Sequence, residues 1–239
     1  MRHVLPGFLI LIFLQTAANG QTPASDTLFL QAAKKQTLAL YEQAMYRQEQ
    51  VYAGNEYIPQ DHRIKIHPFY PTDSLQAGSI TYNGIPYHDV AMLYDIVRDE
   101  VAVRPPEGGY QIQVRNSKIS RFLLGAHQFI RLDSTLGLPA GFYELLHDGS
   151  VQVLAHRKKI IHEDVSSGAY KADYLPKDHF YIRRDGIYHE VKNKGSVLLL
   201  FPEQSKVLRK YLRANKLKFN DALREDAITK VVQQYDAGH

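Results

Sequence analysis

No cysteine occurs in the 239 residues. That excludes disulfides, a thiolate nucleophile and a lipidated cysteine behind a leader. Tryptophan is also absent, although there are 16 Tyr and 10 Phe. The sequence holds no G-x-G-x-x-G and no G-x-x-x-x-G-K-[ST], so nothing supports nucleotide phosphate binding. "AGSI", "DGSV" and "KGSV" are Gly-Ser turns before strands, and none is a G-x-S-x-G elbow. The 11 histidines form neither HExxH nor a short H-x-H pair, so no metal site is expected. His127, His147, His156, His162 and His189 fall in expected strands or strand ends and read as surface or hairpin residues. No catalytic residue and no cofactor is assigned.

Charge of one sign is scarce as well. The net charge is +4, from 29 basic and 25 acidic residues. So mild an excess implies no nucleic-acid partner.

Long apolar runs are nearly missing. The one at the start, "VLPGFLILIFL" from Val4 to Leu14, has 11 residues. A bilayer-spanning helix needs roughly 20. Small residues follow at Ala18 and Gly20, which fits an export signal over residues 1–20 cleaved between Gly20 and Gln21. The mature chain is then expected to be periplasmic or secreted, with no transmembrane segment. An exported chain without disulfides fits a bacterial envelope.

What is present is a rich pattern of short strands and tight turns. Residues 21–50 read as a polar leading segment and a helix, with Leu30, Ala33, Thr37, Leu38, Tyr41, Ala44 and Met45 at helical spacing. Residues 51–201 read as an antiparallel β domain. "GYQIQV" alternates, and Arg115 to Lys118 turns the chain into "ISRFLLGAHQFIRL", read as one strand with Phe122, Leu124, Ala126, Ile130 and Leu132 on one face. Asn83-Gly84, Asp148-Gly149 and Asp185-Gly186 each suit a type I′ hairpin turn, whose two central residues need positive φ. The second of these places Leu146 opposite Val151 and Glu144 opposite Val153. "SVLLLF", Ser196 to Phe201, reads as a closing strand. Residues 202–239 read as a helical pair packed on the sheet. Val207, Leu208, Tyr211 and Leu212 form the first stripe, with Asn215 as a left-handed stop. Leu223, Ala227, Ile228, Val231, Val232 and Tyr235 form the second, capped by Asn220 or Asp221. The expected fold is β-rich α+β: a curved antiparallel sheet or incomplete barrel built as a meander, with one N-terminal helix and two C-terminal helices.

Two groups of residues are singled out. In "SITYNGIPYHDVAMLYDIVRDEV", Tyr82, Tyr87, Tyr94 and Asp95 are the ligand-binding candidates. Asp95 lies on a strand face beside Leu93 and Val97, so burial demands a partner, with Arg98, Arg104 or Arg121 available. A structural ion pair is the expectation. On a continuous strand Asp99 would lie about 13 Å away, too far for a catalytic carboxylate pair. The second group is "KVLRKYLRANKLK", where Lys206, Arg209, Lys210 and Arg213 lead a cationic run. The expectation is a solvated outer face. Contact with anionic lipid headgroups or an acidic envelope protein is the alternative.

Tyr82-Asn83-Gly84 with Tyr87, Leu93-Tyr94-Asp95, "GFYELL" and "LRKYLRANKLKF" resemble an uncharacterised family of exported proteins from Bacteroidota. The resemblance covers roughly Tyr41 to Asp236 and implies no chemistry. The functional expectation is a non-enzymatic binding or scaffold module of the envelope, its ligand and partner unspecified. A carrier of a lipidic ligand inside the sheet, and a hydrolase or isomerase around Tyr94 and Asp95, are the alternatives.

Overall fold

The computed structural model describes residues 23–59, 64, 66–134, 138–164 and 171–238. The expected export signal lies outside them. The chain divides into two compact units, residues 1–46 and 47–239. Helix α1 (Pro23–Gln50) carries most of the first. Its described side chains from Phe29 to Tyr41 are all exposed, including the expected stripe at Leu30, Ala33, Leu38 and Tyr41. The expected helix is present, and Phe29, Ala32, Leu40 and others spread apolar surface around it. Among the described residues no helix is long and apolar enough to cross a membrane.

The second unit is β-rich. Its strands are β1 (Asn55–Glu56), β2 (Phe69–Tyr70), β3 (Gln76–Tyr82), β4 (Ile85–Asp95), β5 (Glu100–Arg104), β6 (Ile112–Gln113), β7 (Ile119–Leu124), β8 (His127–Leu132), β9 (Gly141–Asp148), β10 (Gln152–His156), β11 (Lys159–Asp164), β12 (Lys171–Pro176), β13 (His179–Arg184) and β14 (Ile187–Val191). Helices α2 (Lys194–Leu199), α3 (Ser205–Ala214) and α4 (Arg224–Asp236) follow. One antiparallel sheet runs in the order β1-β6-β5-β4-β3-β7-β8-β9-β10-β13-β14 without closing, and β2 adds to β4 beyond the end of β3. β11 and β12 form a separate hairpin.

Two of the three expected type I′ turns are present. Asn83 and Gly84 have φ of 51° and 75° between the pair Tyr82 and Ile85. Asp185 and Gly186 have φ of 53° and 79° between Arg184 and Ile187. The third is corrected. Gln152 pairs with Asp148 across a loop of Gly149, Ser150 and Val151, and a bulge lets β9 present both Leu146 and His147 to the helices. Glu144 therefore faces Ala155 rather than Val153.

Three further expectations are corrected. Ile119 to Leu132 is a hairpin, β7–β8, closed by Gly125-Ala126, so Ile130 and Leu132 fall on the face opposite Phe122 and Leu124. Residues Ser196 to Phe201 do not form a strand. The Asn193 carboxamide accepts from the Ser196 amide at 3.0 Å while the Asn193 amide donates to Ser196 Oγ at 3.1 Å, and this capping box starts α2. Finally, Asn215 does not take the left-handed stop of α3. It donates its side-chain amide to the Tyr211 carbonyl at 3.0 Å, and Lys216, at φ 52°, makes the turn.

One face of the sheet carries two cores. Over β3, β4 and β7–β9, Tyr94, Phe122, Phe129 and Phe142 pack together: Phe122 and Phe129 stack with centroids 4.7 Å apart, and the other pairs meet edge to face at 5.0–5.9 Å. Over β10, β13 and β14, Val153, Ala155, Ile182 and Val191 meet Leu208 and Leu212 of α3 and Ile228, Val231 and Val232 of α4. Along β9, Phe142 belongs to the first core and Leu146 packs on the second. Glu144 lies between them.

Candidate functional site

Glu144 holds an inward position of β9, where alternation would demand an apolar residue. It is buried, and so is Arg157, which follows β10. Arg157 Nε donates to Glu144 Oε2 at 2.5 Å. Its Nη1 reaches Asp178 Oδ2 at 2.8 Å and Glu225 Oε2 at 2.6 Å, and Nη2 reaches Glu225 Oε1 at 3.0 Å. The fork is thus bidentate towards the first turn of α4, where Glu225 also complements the helix dipole. Tyr70 donates to Glu144 Oε2 at 3.2 Å, and His127 Nδ1 lies 2.5 Å from Glu144 Oε1. The Arg157 guanidinium stands 5.0 Å from the Tyr70 ring centre.

Burial by itself favours neutral Arg157. The hydrogen bonds to Glu225 and the fields of Glu144 and Tyr70 outweigh it and push the pKa up. Burial raises the Tyr70 phenol, with Arg157 opposing and Glu144 adding to the rise. The hub therefore holds charge of both signs, mutually satisfied, at the seam between the two cores. It clamps β9, β10, the β12–β13 connection and α4 together.

Beside the hub opens a cleft of about 500 Å³. Its walls include Asp178 and Glu225 from the hub, His179 and Phe180 of β13, Glu190 of β14, and Arg224 at the start of α4. His179 Nδ1 lies 2.9 Å from Glu190 Oε1, and Lys192 Nζ lies 3.2 Å from Glu190 Oε2. The hydrogen bond from His179 first, and then that of Lys192 and its charge, hold the Glu190 carboxyl below its usual range. Arg224 pairs with Asp221 through Nη2, and its guanidinium stands 6.0 Å from the Phe180 ring centre. Its Nε is buried and has no acceptor among the described residues. Buried N–H groups are almost always paired, with protein or with ordered water. Among the described residues no three His, Asp or Glu side chains converge to hold a metal ion.

The sequence candidates lie elsewhere. Tyr82, Tyr87 and Tyr94 are buried in the aromatic core. Tyr94 donates to Asp99 Oδ1 at 2.6 Å. Asp95 is 0% exposed, on the opposite face of β4 with Leu93. It accepts from Tyr57 at 2.7 Å and from the amides of Val97 and Arg98 at 2.9 and 3.1 Å, with Arg98 Nε at 3.8 Å. The expected structural role of Asp95 holds, and Arg98 is the arginine beside it. The four residues do not share a cleft. Asp99 is not four positions further along a strand: β4 ends at Asp95 and a turn intervenes before β5.

The surface reading of the histidines is corrected for His156, which is buried and lies tilted against Tyr143 with centroids 4.7 Å apart. Burial chiefly, then Lys158 and His179, lower its pKa to about 4. Sequence reasoning missed the hub altogether. The one signal was Glu144 between Phe142 and Leu146 in "GFYELL". Comparison with protein-family models, with curated proteins and with solved structures finds no match for this chain.

Proposed function

We propose that the protein is an exported, non-enzymatic binding module of the bacterial envelope, with a small polar ligand seated in the cleft beside Arg157. The observation that carries this is the buried, unpartnered Arg224 Nε at the wall of that cleft. A ligand that places an acceptor there recovers the free energy of an otherwise stranded donor, about 1–3 kcal/mol. Glu190 and Asp178 offer acceptors to hydroxyl or amine groups of the same molecule, and Phe180 offers a ring edge. Export rests on the apolar run Val4 to Leu14 and the small residues behind it, together with the resemblance to exported Bacteroidota proteins.

Two facts support binding over the alternatives. Asp178 and Glu225, which line the cleft, are engaged by Arg157 in structural ion pairs. The aromatic rings of the first core fill the space over the sheet that a lipidic cargo would occupy. Native mass spectrometry of the protein isolated from its producing cell tests the reading. The expected spectrum shows a retained low-mass adduct that Arg224→Gln loses. A bare protein mass, or an adduct that Arg224→Gln keeps, removes the cleft from the proposal.

A further inference from the structure

Helix α3 buries Leu208 and Leu212 and turns Lys206, Arg209, Lys210 and Arg213 outward. At 100° per residue those four fall within one arc, opposite the buried pair. Val207, at the margin of the arc, is 56% exposed although the sequence pattern assigns it to the buried stripe. The first turn of α3 contains no acid, and no ion pair engages any of the four cations among the described residues. Together with Ala214 they line a shallow concavity of about 540 Å³. Other cations of this unit do have carboxylate partners: Arg184 with Glu203, Lys192 with Glu190, Lys230 with Asp226.

We infer that this face of α3 docks on an anionic lipid surface. A single bound phosphate would call for cations converging on a point. Here they are strung over about 10 Å of helix from Lys206 to Arg213, which matches an array of anions rather than one. An exposed aliphatic side chain beside the cations adds the apolar contact that interfacial helices use. The attachment is peripheral, and its strength falls as salt screens the four charges. It is independent of the cleft proposed above, because none of the four residues lines that cleft.

Co-sedimentation with vesicles tests it, using the protein as isolated. The probes are phosphatidylcholine vesicles with and without phosphatidylglycerol, at about 50 mM and about 500 mM salt. Binding is expected to the anionic vesicles at low salt only. Arg209→Gln, Lys210→Gln and Arg213→Gln combined should weaken it by about tenfold or more. The charge-preserving set Arg209→Lys and Arg213→Lys should retain it. Equal binding to neutral vesicles, no binding by the wild type, or full binding by the triple variant would each overturn the inference. So would capture by polyglutamate without capture by vesicles, which would make the partner an acidic polypeptide.

Discussion

Arg157 and Arg209 carry the same guanidinium and meet opposite surroundings. Arg157, with a side chain 5% exposed, has its donors taken by three carboxylates from three separate parts of the chain. Arg209 stands on the outside of α3 beside three other cations and no carboxylate. A charge that is buried must be satisfied internally or the fold does not form. A charge that is exposed has no such obligation and remains available to something else. The comparison separates residues that hold the structure from residues free to act.

The largest expected effect lies on the buried side. Arg157→Leu leaves Glu144 in the seam without its main cation and releases Glu225 from the sheet. Removing one partner of a buried ion pair costs about 3–5 kcal/mol. Urea denaturation should show a loss of that size. A loss under about 1 kcal/mol would mean that water already reaches the hub, and the contrast with α3 would collapse. A smaller loss is expected at a second tie. Asp236, at the end of α4, meets His147 Nε2 at 2.5 Å and the Ser150 hydroxyl. Gly149 allows this approach, because a Cβ there would collide with the Asp236 carboxylate. Gly149→Val should cost about 1–3 kcal/mol by forcing that contact apart. Val at Gly186, at φ 79° with open space around it, tests backbone strain alone. Equal losses at both sites would show that the Asp236 tie adds nothing.

How much of this was legible in the sequence depended on range. The Asn83-Gly84 and Asp185-Gly186 turns were readable because two adjacent residues decide them. The Asp148-Gly149 turn was misread because a carboxylate 86 residues after Ser150 shapes that loop. The β7–β8 turn stayed hidden since apolar residues continue through it. The helix α1 was legible from its spacing, whereas the strand expected at Ser196 to Phe201 failed because an apolar run without a polar partner pattern fits several structures. The hub could not be read at all, because Arg157 and Glu225 stand 68 residues apart and nothing local pairs them. The cations of α3 were legible as a cluster. Their lack of partners is a fact of the fold.

Between the extremes sit two titratable groups that flank Gly141. A Cβ added there would lie 2.8 Å from Asp99 Oδ2 and 3.3 Å from His156 Nε2. Burial raises the Asp99 pKa to about 6, against hydrogen bonds from Tyr94 and the Phe142 amide and the charges of Arg131 and Lys158. The folded protein then binds this proton more tightly than the unfolded chain, so the Asp99 contribution is full below about pH 4 and is lost as pH rises to about 6. His156, lowered to about 4, behaves in reverse: its contribution is full above about pH 6.5 and is lost as pH falls towards 4. Each is worth on the order of 3 kcal/mol, and they oppose one another over the same window. Asp99→Asn should steepen the loss of stability in acid. His156→Phe should make the protein more stable at pH 4 than at pH 6. Parallel pH profiles for both variants and the wild type would show that neither group is shifted.

The smallest effect on the fold is expected where the effect on binding is greatest. Arg209→Gln, Lys210→Gln and Arg213→Gln together remove three charges that have no partner to lose. Exposed charges contribute roughly 0–1 kcal/mol even when paired. Lys206 and Lys210, and Arg209 and Arg213, are like charges one turn apart, which destabilise a helix by about 0.2–0.5 kcal/mol per pair. The triple variant should therefore be as stable as the wild type or slightly more so. The wild type alone should gain stability with added salt, because only it has repulsion left to screen. Thermal melts of both proteins at low and high salt measure this. A fall in stability of more than about 1 kcal/mol in the triple variant would reveal an internal partner for these cations. They would then belong with Arg157, among the residues that hold the structure.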